Sequence, residues 1–305
     1  MIKRTLRFSN PCYLSLENEQ MLVSYNRIKG QESMPDKTAA IEDIGIILLE
    51  HKQITLTHSL MGKLLEYHAA LITCNDTHHP TGLLLNLDGH TNQSERFRAQ
   101  QEASVPLRKQ LWQQTIKAKI ANQAQVLNIA GGDFKHLERL AALVKSGDAD
   151  NQEAQAAAYY WPRLFAPAWH FFRRRDGSPP NNLLNYGYAV LRAAVARELV
   201  ISGLLPTFGI HHRNRYNSYC LADDIMEPYR PYVDYAVWKI LQQTSAIDPL
   251  TNEHKRTLVE VLTTDVKIEG ETSPLQIALH RTTASLARCF LGKAKKISYP
   301  EGPVC

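Results

Sequence analysis

The segment 211–231 holds a denser set of chemically active side chains than any other part of the chain. Its 21 residues include two histidines, three carboxylates, three arginines and three tyrosines. Asp224 and Glu227 are three residues apart, so on a helix they would lie on one face, and Pro228 permits this because both acids precede the kink. With an imidazole from the preceding loop, these oxygens would suit Mn²⁺ or Mg²⁺. Since the arginines would attract a polyanion, the pattern is typical of metal-dependent phosphoryl transfer on nucleic acid.

A solvated cluster of ion pairs is the alternative interpretation of this segment, because Arg, His and Asp often crowd together on surfaces and contribute little to stability. The apolar neighbours of the acids argue against that alternative. They are Leu221, Ala222, Ile225 and Met226. The acids are therefore expected on a half-buried segment, where a carboxylate needs either a cation or a proton as its partner.

Glu153 is the best remote candidate for a further metal ligand, which is needed because one segment rarely supplies a whole site. It lies near the start of a predicted helix that is rich in alanine, at Ala154 and Ala156–Ala158, and can approach its neighbours closely. The alternative, which composition alone favours, is a surface glutamate that complements the helix dipole.

A basic run at Arg173–Arg175 precedes the turn at Pro179–Pro180 and a helix that opens at Asn181. Three consecutive arginines usually form a solvated face, but beside a carboxylate pocket they could hold phosphates independently of base sequence. Tyr186 and Tyr188 are either core residues, the commoner case, or residues that stack on a nucleic-acid end.

Several short motifs occur in a recognisable order along the chain. In the second half they are Glu153 with its Ala-rich helix, Asn181 with Leu184–Tyr188, Gly209–His212 and Asp224–Pro228. In the first half they are Phe8–Pro11, Ile41–Gly45 and Gly89–Thr91. Together these motifs resemble those of the CRISPR spacer-acquisition integrases, the adaptation endonucleases. The resemblance extends over most of the chain. The resemblance is greatest to the branch that accompanies a single-protein RNA-guided nuclease (type II, subtype C).

The resemblance implies a site that binds Mn²⁺ or Mg²⁺. The metal ligands that it implies are Glu153, His212 and Glu227. Asp224 would be an accessory catalytic carboxylate one turn before the last ligand. The family's Gly-x-x-His pattern falls on Gly209–His212. The neighbours His211 and Asp223 leave a one-residue alternative in each case, and the family pattern favours the second member of each pair.

The reaction implied by the resemblance is a transesterification, in which the 3′-hydroxyl of a captured DNA fragment attacks a phosphodiester at the edge of a repeat. A metal ion can lower the pKa of the attacking or departing oxygen and neutralise charge on the phosphate. An imidazole ligand favours Mn²⁺ over Mg²⁺. The residues expected to contact DNA are Arg173, Arg174, Arg175, Arg213, Arg215, Arg230 and Tyr188.

The resemblance also implies partners: double-stranded DNA fragments, the CRISPR repeat array, a second copy of the chain, and a small ferredoxin-like adaptation protein that bridges two dimers into a heterohexamer. Two other functions remain as alternatives: the first needs the same ligands, and in the second the acids form only a structural cluster. One is a structure-specific, metal-dependent DNA nuclease with water as its nucleophile, and the other is a non-catalytic DNA-binding scaffold. Because no base-reading motif is visible, specificity for the insertion site is expected to depend on DNA shape or on partners.

The elements that must position these residues divide into two groups, and the expected fold class is α+β. Residues 1–87 are expected to form a small β-rich domain with one helix. Its predicted elements are a hairpin of Tyr13–Leu16 and Met21–Tyr25, strands at Ile44–Leu49 and Gln53–Thr57, a helix at His58–Tyr67 and a buried strand at Ala70–Cys74.

The polar stretch 88–95 is predicted to be the interdomain linker, and 96–305 to be a larger all-α catalytic domain. Helical spacing and its breaks predict helices at 95–103, 106–129, 133–145, 151–164, 183–203, 230–244, 254–262 and 274–291. From about residue 293 the chain carries three lysines with Gly302 and Pro303, and we expect this basic tail to be mobile.

Composition sets broader limits on the function. The 305 residues carry a net charge of +5 with 12 further histidines, a mild bias toward anionic partners. The five cysteines are scattered and form no CxxC pair, which favours reduced thiols in the cytoplasm over a disulfide scaffold or a structural zinc site. Because no run of 18 apolar residues occurs and the N-terminus lacks an apolar core, we expect neither a membrane span nor a signal peptide.

Overall fold

The computed structural model describes residues 3–25, 35–165, 171–174, 179–243 and 250–303. Within it the chain divides into two compact units, Met1–Thr91 and Asn92–Cys305. The division falls inside the stretch 88–95 that was predicted to be a linker. The predicted linker extends too far, because the first helix of the second unit already begins at Gln93.

The N-terminal unit consists of short strands and one helix. They are β1 (Arg4–Phe8), β2 (Tyr13–Glu17), β3 (Gln20–Ser24), β4 (Lys37–Ala40), β5 (Ile44–Leu49), β6 (Thr55–Leu56), α1 (His58–Glu66), β7 (Ala70–Cys74) and β8 (Pro80–Leu84). One sheet has the order β1-β5-β7-β8, with only β8 antiparallel to its neighbour. The other has the order β4-β3-β2-β6. Side chains from both sheets and from α1 form the core, among them Leu14, Ile47 and Leu64.

The predicted elements of this unit are confirmed with small changes of length. Glu17 pairs with Gln20 at the closed end of the predicted hairpin, and the strand expected at Gln53–Thr57 is limited to Thr55–Leu56. Strands β1, β4 and β8 were not predicted individually, because segments of four or five residues are too short to distinguish a strand from a loop. Pairing with neighbouring strands determines their conformation.

The second unit is mostly helical. Its α-helices are α2 (Gln93–Gln101), α3 (Val105–Ile129), α4 (Lys135–Leu143), α5 (Gln152–Leu164), α6 (Asn181–Ile201), α7 (Cys220–Met226), α8 (Arg230–Gln243), α9 (Asn252–Glu260) and α10 (Leu275–Phe290). The long helix α3 starts where the hydroxyl of Ser104 accepts a hydrogen bond from Leu107 N at 3.3 Å. It packs against α4, α5 and α8, while α6 packs against α7, α8, α9 and α10. Helices α3 and α6 are therefore the scaffold of this unit.

A two-stranded hairpin interrupts the helices, so the C-terminal domain is not all-α, although the α+β class is confirmed. Strands β9 (Asp265–Ile268) and β10 (Glu271–Pro274) are antiparallel, and the turn at Glu269–Gly270 has positive φ angles at both residues. Along β9, Val266 and Ile268 are buried and their neighbours exposed. This alternation and the Glu-Gly turn were visible in the sequence, but four residues are too few to distinguish a strand from a loop.

The 293–303 segment, expected to be a mobile tail, packs along α3 instead. Tyr299 shares a hydrogen bond of 2.8 Å with Thr115. The amide of Asn122 donates to Pro300 O at 3.2 Å and to Pro228 O at 2.7 Å. A Cβ at Gly302 would lie 2.6 Å from Gln125 Cβ, so this glycine permits close approach to α3. The lysine content of the segment suggested mobility, but its apolar and turn residues make these contacts.

The helices of the described ranges include none that combines the length and the apolar content needed to cross a membrane. Among the described cysteines, Cys12, Cys220 and Cys289 are free thiols.

Candidate active site

The position of Glu153 is set by the start of α5. Asn151 adopts a left-handed conformation with φ of 54°, which turns the chain into the helix. The carboxylate of Asp148 then accepts hydrogen bonds from Gln152 N at 2.8 Å and from Glu153 N at 3.1 Å. A carboxylate that accepts these first amides stabilises the helix end. Glu153 is thereby held in the first turn of α5.

Glu227 lies where α7 passes into α8 through the single 3-10 turn Glu227–Tyr229. The predicted helical course of the segment from Asp224 to Glu227 is thus confirmed. The Glu227 side chain is buried, and its Oε1 lies 3.1 Å from Arg230 Nη2. The carbonyl of Pro228 accepts a hydrogen bond from Asn122, so α3 fixes the turn from the other side.

Lys119 of α3 links the two glutamates. Its Nζ lies 2.5 Å from Glu153 Oε1 and 2.6 Å from Glu227 Oε2. Burial disfavours the charged form of Lys119, but the two carboxylates outweigh this effect and raise its pKa. The structure thus brings Glu153 and Glu227, 74 positions apart in the sequence, onto one cationic group.

His212 is oriented by Asp224. Asp224 is fully buried, its Oδ1 lies 2.5 Å from His212 Nδ1, and its Oδ2 accepts a hydrogen bond from His211 N at 2.9 Å. Because an ionised carboxylate only accepts hydrogen bonds, Nδ1 is the donor and Nε2 remains for another partner. A Cβ at Gly209 would lie 2.7 Å from Asp224 Oδ2 and would also collide with the carbonyl of His212. The glycine of the Gly-x-x-His pattern therefore makes room for this pair.

The neighbouring residues His211 and Asp223 have other partners. The ring of His211 stacks on Trp112, with centroids 4.2 Å apart and an interplanar angle of 3°. Asp223 Oδ1 lies 2.6 Å from Arg192 Nε, and its Oδ2 accepts a hydrogen bond from Asn217 at 2.7 Å. Asp223 is thus held by Arg192 and Asn217, whereas Asp224 holds His212.

The surroundings shift the pKa values of Asp224 and Glu227 in opposite directions. Burial raises the pKa of Asp224, although hydrogen bonds from His212 and His211 oppose it, and the hydrogen bond to Asp224 raises the pKa of His212. Burial alone would raise the pKa of Glu227, but Arg230 and Lys119 outweigh it and the pKa is lowered. Glu227 is therefore held ionised by two cations.

The donor set fits a divalent cation in its chemistry. It offers carboxylate oxygens from Glu153 and Glu227 and the Nε2 of His212, whose Nδ1 is bound by a carboxylate as in many metal sites. Among the described residues, Glu227 Oε2 is buried and accepts no well-directed hydrogen bond, although Lys119 Nζ is close. As they stand, no three His, Cys, Asp or Glu side chains in the described ranges are close enough together to hold a metal. The ammonium of Lys119 lies between the two carboxylates instead.

Two of the predicted DNA-contacting arginines border a cavity beside the site. Arg213 and Arg215 line this cavity of about 380 Å³ together with Arg108, Phe208 and His212. Both Arg213 and Arg215 are exposed. A polyanion that entered the cavity would meet these cations next to the imidazole.

Arg173, Tyr188 and Arg230 belong instead to an internal network. Arg173 donates to Asn181 at 3.0 Å and to Asn185 at 2.8 Å, and its guanidinium lies over the ring of Tyr188. Tyr188 is buried, and its hydroxyl donates to the buried Asp234. The DNA contact predicted for Tyr188 does not fit this position, because its hydroxyl is bound to a buried carboxylate and its ring is covered by arginine.

The remaining arginine predictions have different outcomes. The guanidinium of Arg230 also covers Tyr188, at 4.9 Å, and pairs with Glu227 rather than pointing to open solvent. Arg174 is exposed. Arg175 lies outside the described residues.

Sequence reasoning missed Lys119, Trp112 and Asp234. Lys119 and Trp112 follow helical spacing with the buried Thr115 and Gln123 on one face of α3. A lysine on an otherwise buried face was a detectable signal, because an unpaired ammonium is rarely buried. Nothing in the sequence indicated which acids would pair with it.

Comparison with known proteins agrees with the motifs. The family model described as CRISPR associated protein Cas1 matches residues 7–256. The CRISPR-associated endonuclease Cas1 of Neisseria meningitidis serogroup C (strain 8013) is 37% identical over 304 residues, covering 99% of this chain and 97% of that protein.

Solved structures share the fold at lower sequence identity. A casposase bound to integration product has a TM-score of 0.79 at 20% identity, covering 97% of this chain and 92% of that chain. A chain of a Cas6-RT-Cas1–Cas2 complex has a TM-score of 0.71 at 20% identity, covering 96% of this chain and 35% of that one. With the family match over most of its length and a relative this similar from end to end, the chain belongs to the Cas1 family of CRISPR-associated proteins.

Proposed function

We propose that this chain is a DNA endonuclease and integrase of CRISPR adaptation, of the type II, subtype C branch, with Mn²⁺ or Mg²⁺ as its cofactor. It joins the 3′-hydroxyl ends of captured DNA fragments to repeat ends by transesterification. The observation that carries the proposal is the convergence of Glu153 and Glu227 on one cationic group. The names of the Neisseria endonuclease and of the casposase bound to integration product agree with it.

Each residue has a distinct part in this proposal. Glu153, Glu227 and Nε2 of His212 would hold the metal ion, which when bound would activate the attacking oxygen and neutralise charge on the phosphate. Asp224 fixes the imidazole by its hydrogen bond to Nδ1. Arg230 fixes the Glu227 carboxylate by holding Oε1. Catalysis depends on positioning and electrostatics, and no covalent protein intermediate is required.

The DNA would approach through the cavity that Arg213 and Arg215 border. The affinity for duplex DNA falls as salt rises. Replacement of both arginines by alanine is expected to make the slope of log K against log salt less steep, by about 0.9 for each phosphate that the variant no longer neutralises. The Arg173→Ala variant is expected to leave that slope unchanged, because Arg173 is bound to Asn181 and Asn185. The opposite ranking of the two variants would place the DNA elsewhere.

The partners are proposed on the same basis. Two copies of the chain would form a homodimer, and two homodimers would be joined by a small ferredoxin-like protein of the Cas2 type. The resemblance of the fold to a chain in a Cas2-containing complex supports a partner of this kind. Light scattering on a size-exclusion column, with and without the partner, would measure the masses expected for a dimer and a heterohexamer.

The deciding experiment is strand transfer into a supercoiled plasmid that carries a repeat array. The purified protein would receive Mn²⁺, its small partner and a short duplex with labelled 3′-hydroxyl ends. Glu153→Ala and His212→Ala would be tested beside the wild type. Label joined to the plasmid by the wild type alone would support an integrase that uses these ligands. Nicking without joining would favour a nuclease, and equal behaviour of all three proteins would exclude this pocket as the active site.

A further inference from the structure

Lys119 is the feature that the proposed reaction leaves unexplained. Its ammonium lies 2.5 Å from Glu153 Oε1 and 2.6 Å from Glu227 Oε2, and its side chain is 12% exposed. It therefore lies between the two carboxylates that are proposed to hold the metal. A lysine in that place is not a metal ligand, because a protonated amine has no free electron pair.

Two carboxylates that face one position repel each other unless a cation lies between them. In the protein without metal, Lys119 is that cation for both residues. Arg230 is a cation of a different kind. It lies 3.1 Å from Oε1 of Glu227, and its guanidinium covers Tyr188, which is hydrogen-bonded to the buried Asp234. Arg230 is thus held by buried groups and can stay in place when a metal binds. Lys119, in contrast, contacts the carboxylate oxygens that the metal would use.

We propose that Lys119 is an internal counter-ion which the divalent cation displaces from Glu153 and Glu227. This inference rests on the proposed metal site. The exchange is a competition between two cations for the same oxygens, with no covalent change. Before metal arrives, Lys119 offsets the mutual repulsion of the two carboxylates, and it weakens metal binding because it competes for the same oxygens. The displaced ammonium, carried on a long flexible side chain, can then neutralise a DNA phosphate.

The test is isothermal titration of Mn²⁺ into the metal-free protein without DNA. Lys119→Met keeps the approximate length of the side chain and removes the charge. We expect it to bind Mn²⁺ at least about tenfold more tightly than the wild type, since like-charged carboxylates without a counter-ion interact strongly. Its thermal midpoint without metal should be lower, and the rise of that midpoint on adding Mn²⁺ should be larger.

Lys117→Met is the matched control, because Lys117 is exposed on the same helix two residues earlier. It should bind Mn²⁺ with wild-type affinity. Lys119→Gln, which keeps a hydrogen-bond donor but no charge, is the second variant if the methionine does not fold, and it should also bind Mn²⁺ more tightly. Unchanged or weaker Mn²⁺ binding by the folded Lys119 variant would overturn the inference.

The Glu227→Gln variant shows whether a negative result concerns only the displacement of Lys119 or the proposed metal site as well. If Glu227→Gln weakens Mn²⁺ binding while the Lys119 variants bind like the wild type, the metal site stands and the displacement is wrong. If neither the wild type nor any Lys119 variant binds Mn²⁺, both the site and the inference are wrong.

Discussion

Asp224 Oδ1 lies 2.5 Å from the Nδ1 of His212, and the same carboxylate accepts hydrogen bonds from the backbone amides of His211 and His212. Three donors from two consecutive residues thus converge on one buried acid. The loop that carries the imidazole is folded around this acid, so the orientation of His212 depends on Asp224 more than on its own exposed surroundings.

Asp224→Asn should therefore reduce activity without unfolding the protein. An asparagine has nearly the same shape but holds the imidazole less well, and removal of such a supporting hydrogen bond typically costs 10–100-fold, roughly, in activity. The rate of strand transfer measures the effect. Asp223→Asn is the control, since Asp223 pairs with Arg192 and not with His212. Equal rates for the two variants would show that the Asp224 hydrogen bond is dispensable.

Gly209→Ala should disrupt the same loop by sterics alone. The new Cβ would lie 2.7 Å from Asp224 Oδ2, so the loop must move, and overpacking of this kind typically costs about 1–3 kcal/mol. We expect lower strand-transfer activity together with a lower midpoint of chemical denaturation. Gly62→Ala is the comparison, because a Cβ there meets nothing within 4 Å. In the middle of α1 it should be neutral or stabilise by up to about 1 kcal/mol.

Asn122→Ala should destabilise the second unit. It removes hydrogen bonds to the carbonyls of Pro228 and Pro300, and leaving buried acceptors without partners costs about 1–3 kcal/mol. Denaturant titration followed by tryptophan fluorescence measures the change. Asn128→Ala, at an exposed position of the same helix, should change the free energy of unfolding by no more than about 0.5 kcal/mol. A smaller effect at Asn122 than at Asn128 would contradict the packing described for the 293–303 segment.

Asp234 should make stability depend on pH. Burial raises its pKa from the ordinary 3.8 to about 7, although hydrogen bonds from Tyr188 and Tyr160 oppose this. The folded protein therefore keeps a proton that the unfolded chain releases above about pH 4. The contribution of Asp234 to stability is fully present below about pH 4 and is lost as the pH rises through about 7.

Asp234→Asn removes that titration. The free energy of unfolding of the wild type minus that of the variant should fall between pH 4.5 and 7.5, by at most roughly 1.4 kcal/mol per pH unit. Urea denaturation at several pH values measures the difference. A flat difference would mean that the carboxyl titrates normally in the folded protein.

The elements that place the candidate ligands could be predicted because their sequence signals are local. The helix that carries Glu153 and the helical run through Asp224 and Glu227 follow from alanine content and apolar spacing. Lys119 and Asp234 could not be assigned to their partners, because these contacts join residues far apart in sequence. The packing of Tyr299 on Thr115 could not be predicted either, because a lysine-rich stretch is typical of a solvated segment. Whether the segment packs depends on the shape of the α3 surface, which the sequence of the segment does not contain.

The hydrogen bond between Asn122 and Pro300 has a further consequence for the biosynthesis of the protein. These residues are 178 positions apart, and every candidate ligand leaves the ribosome before Pro300 does. A nascent chain, or one cut short by a stop codon after Phe290, would carry Glu153, His212 and Glu227 but not the segment that helps Asn122 to hold the Glu227 turn. The turn that carries Glu227 would then reach its full packing only after residues 293–303 had been synthesised.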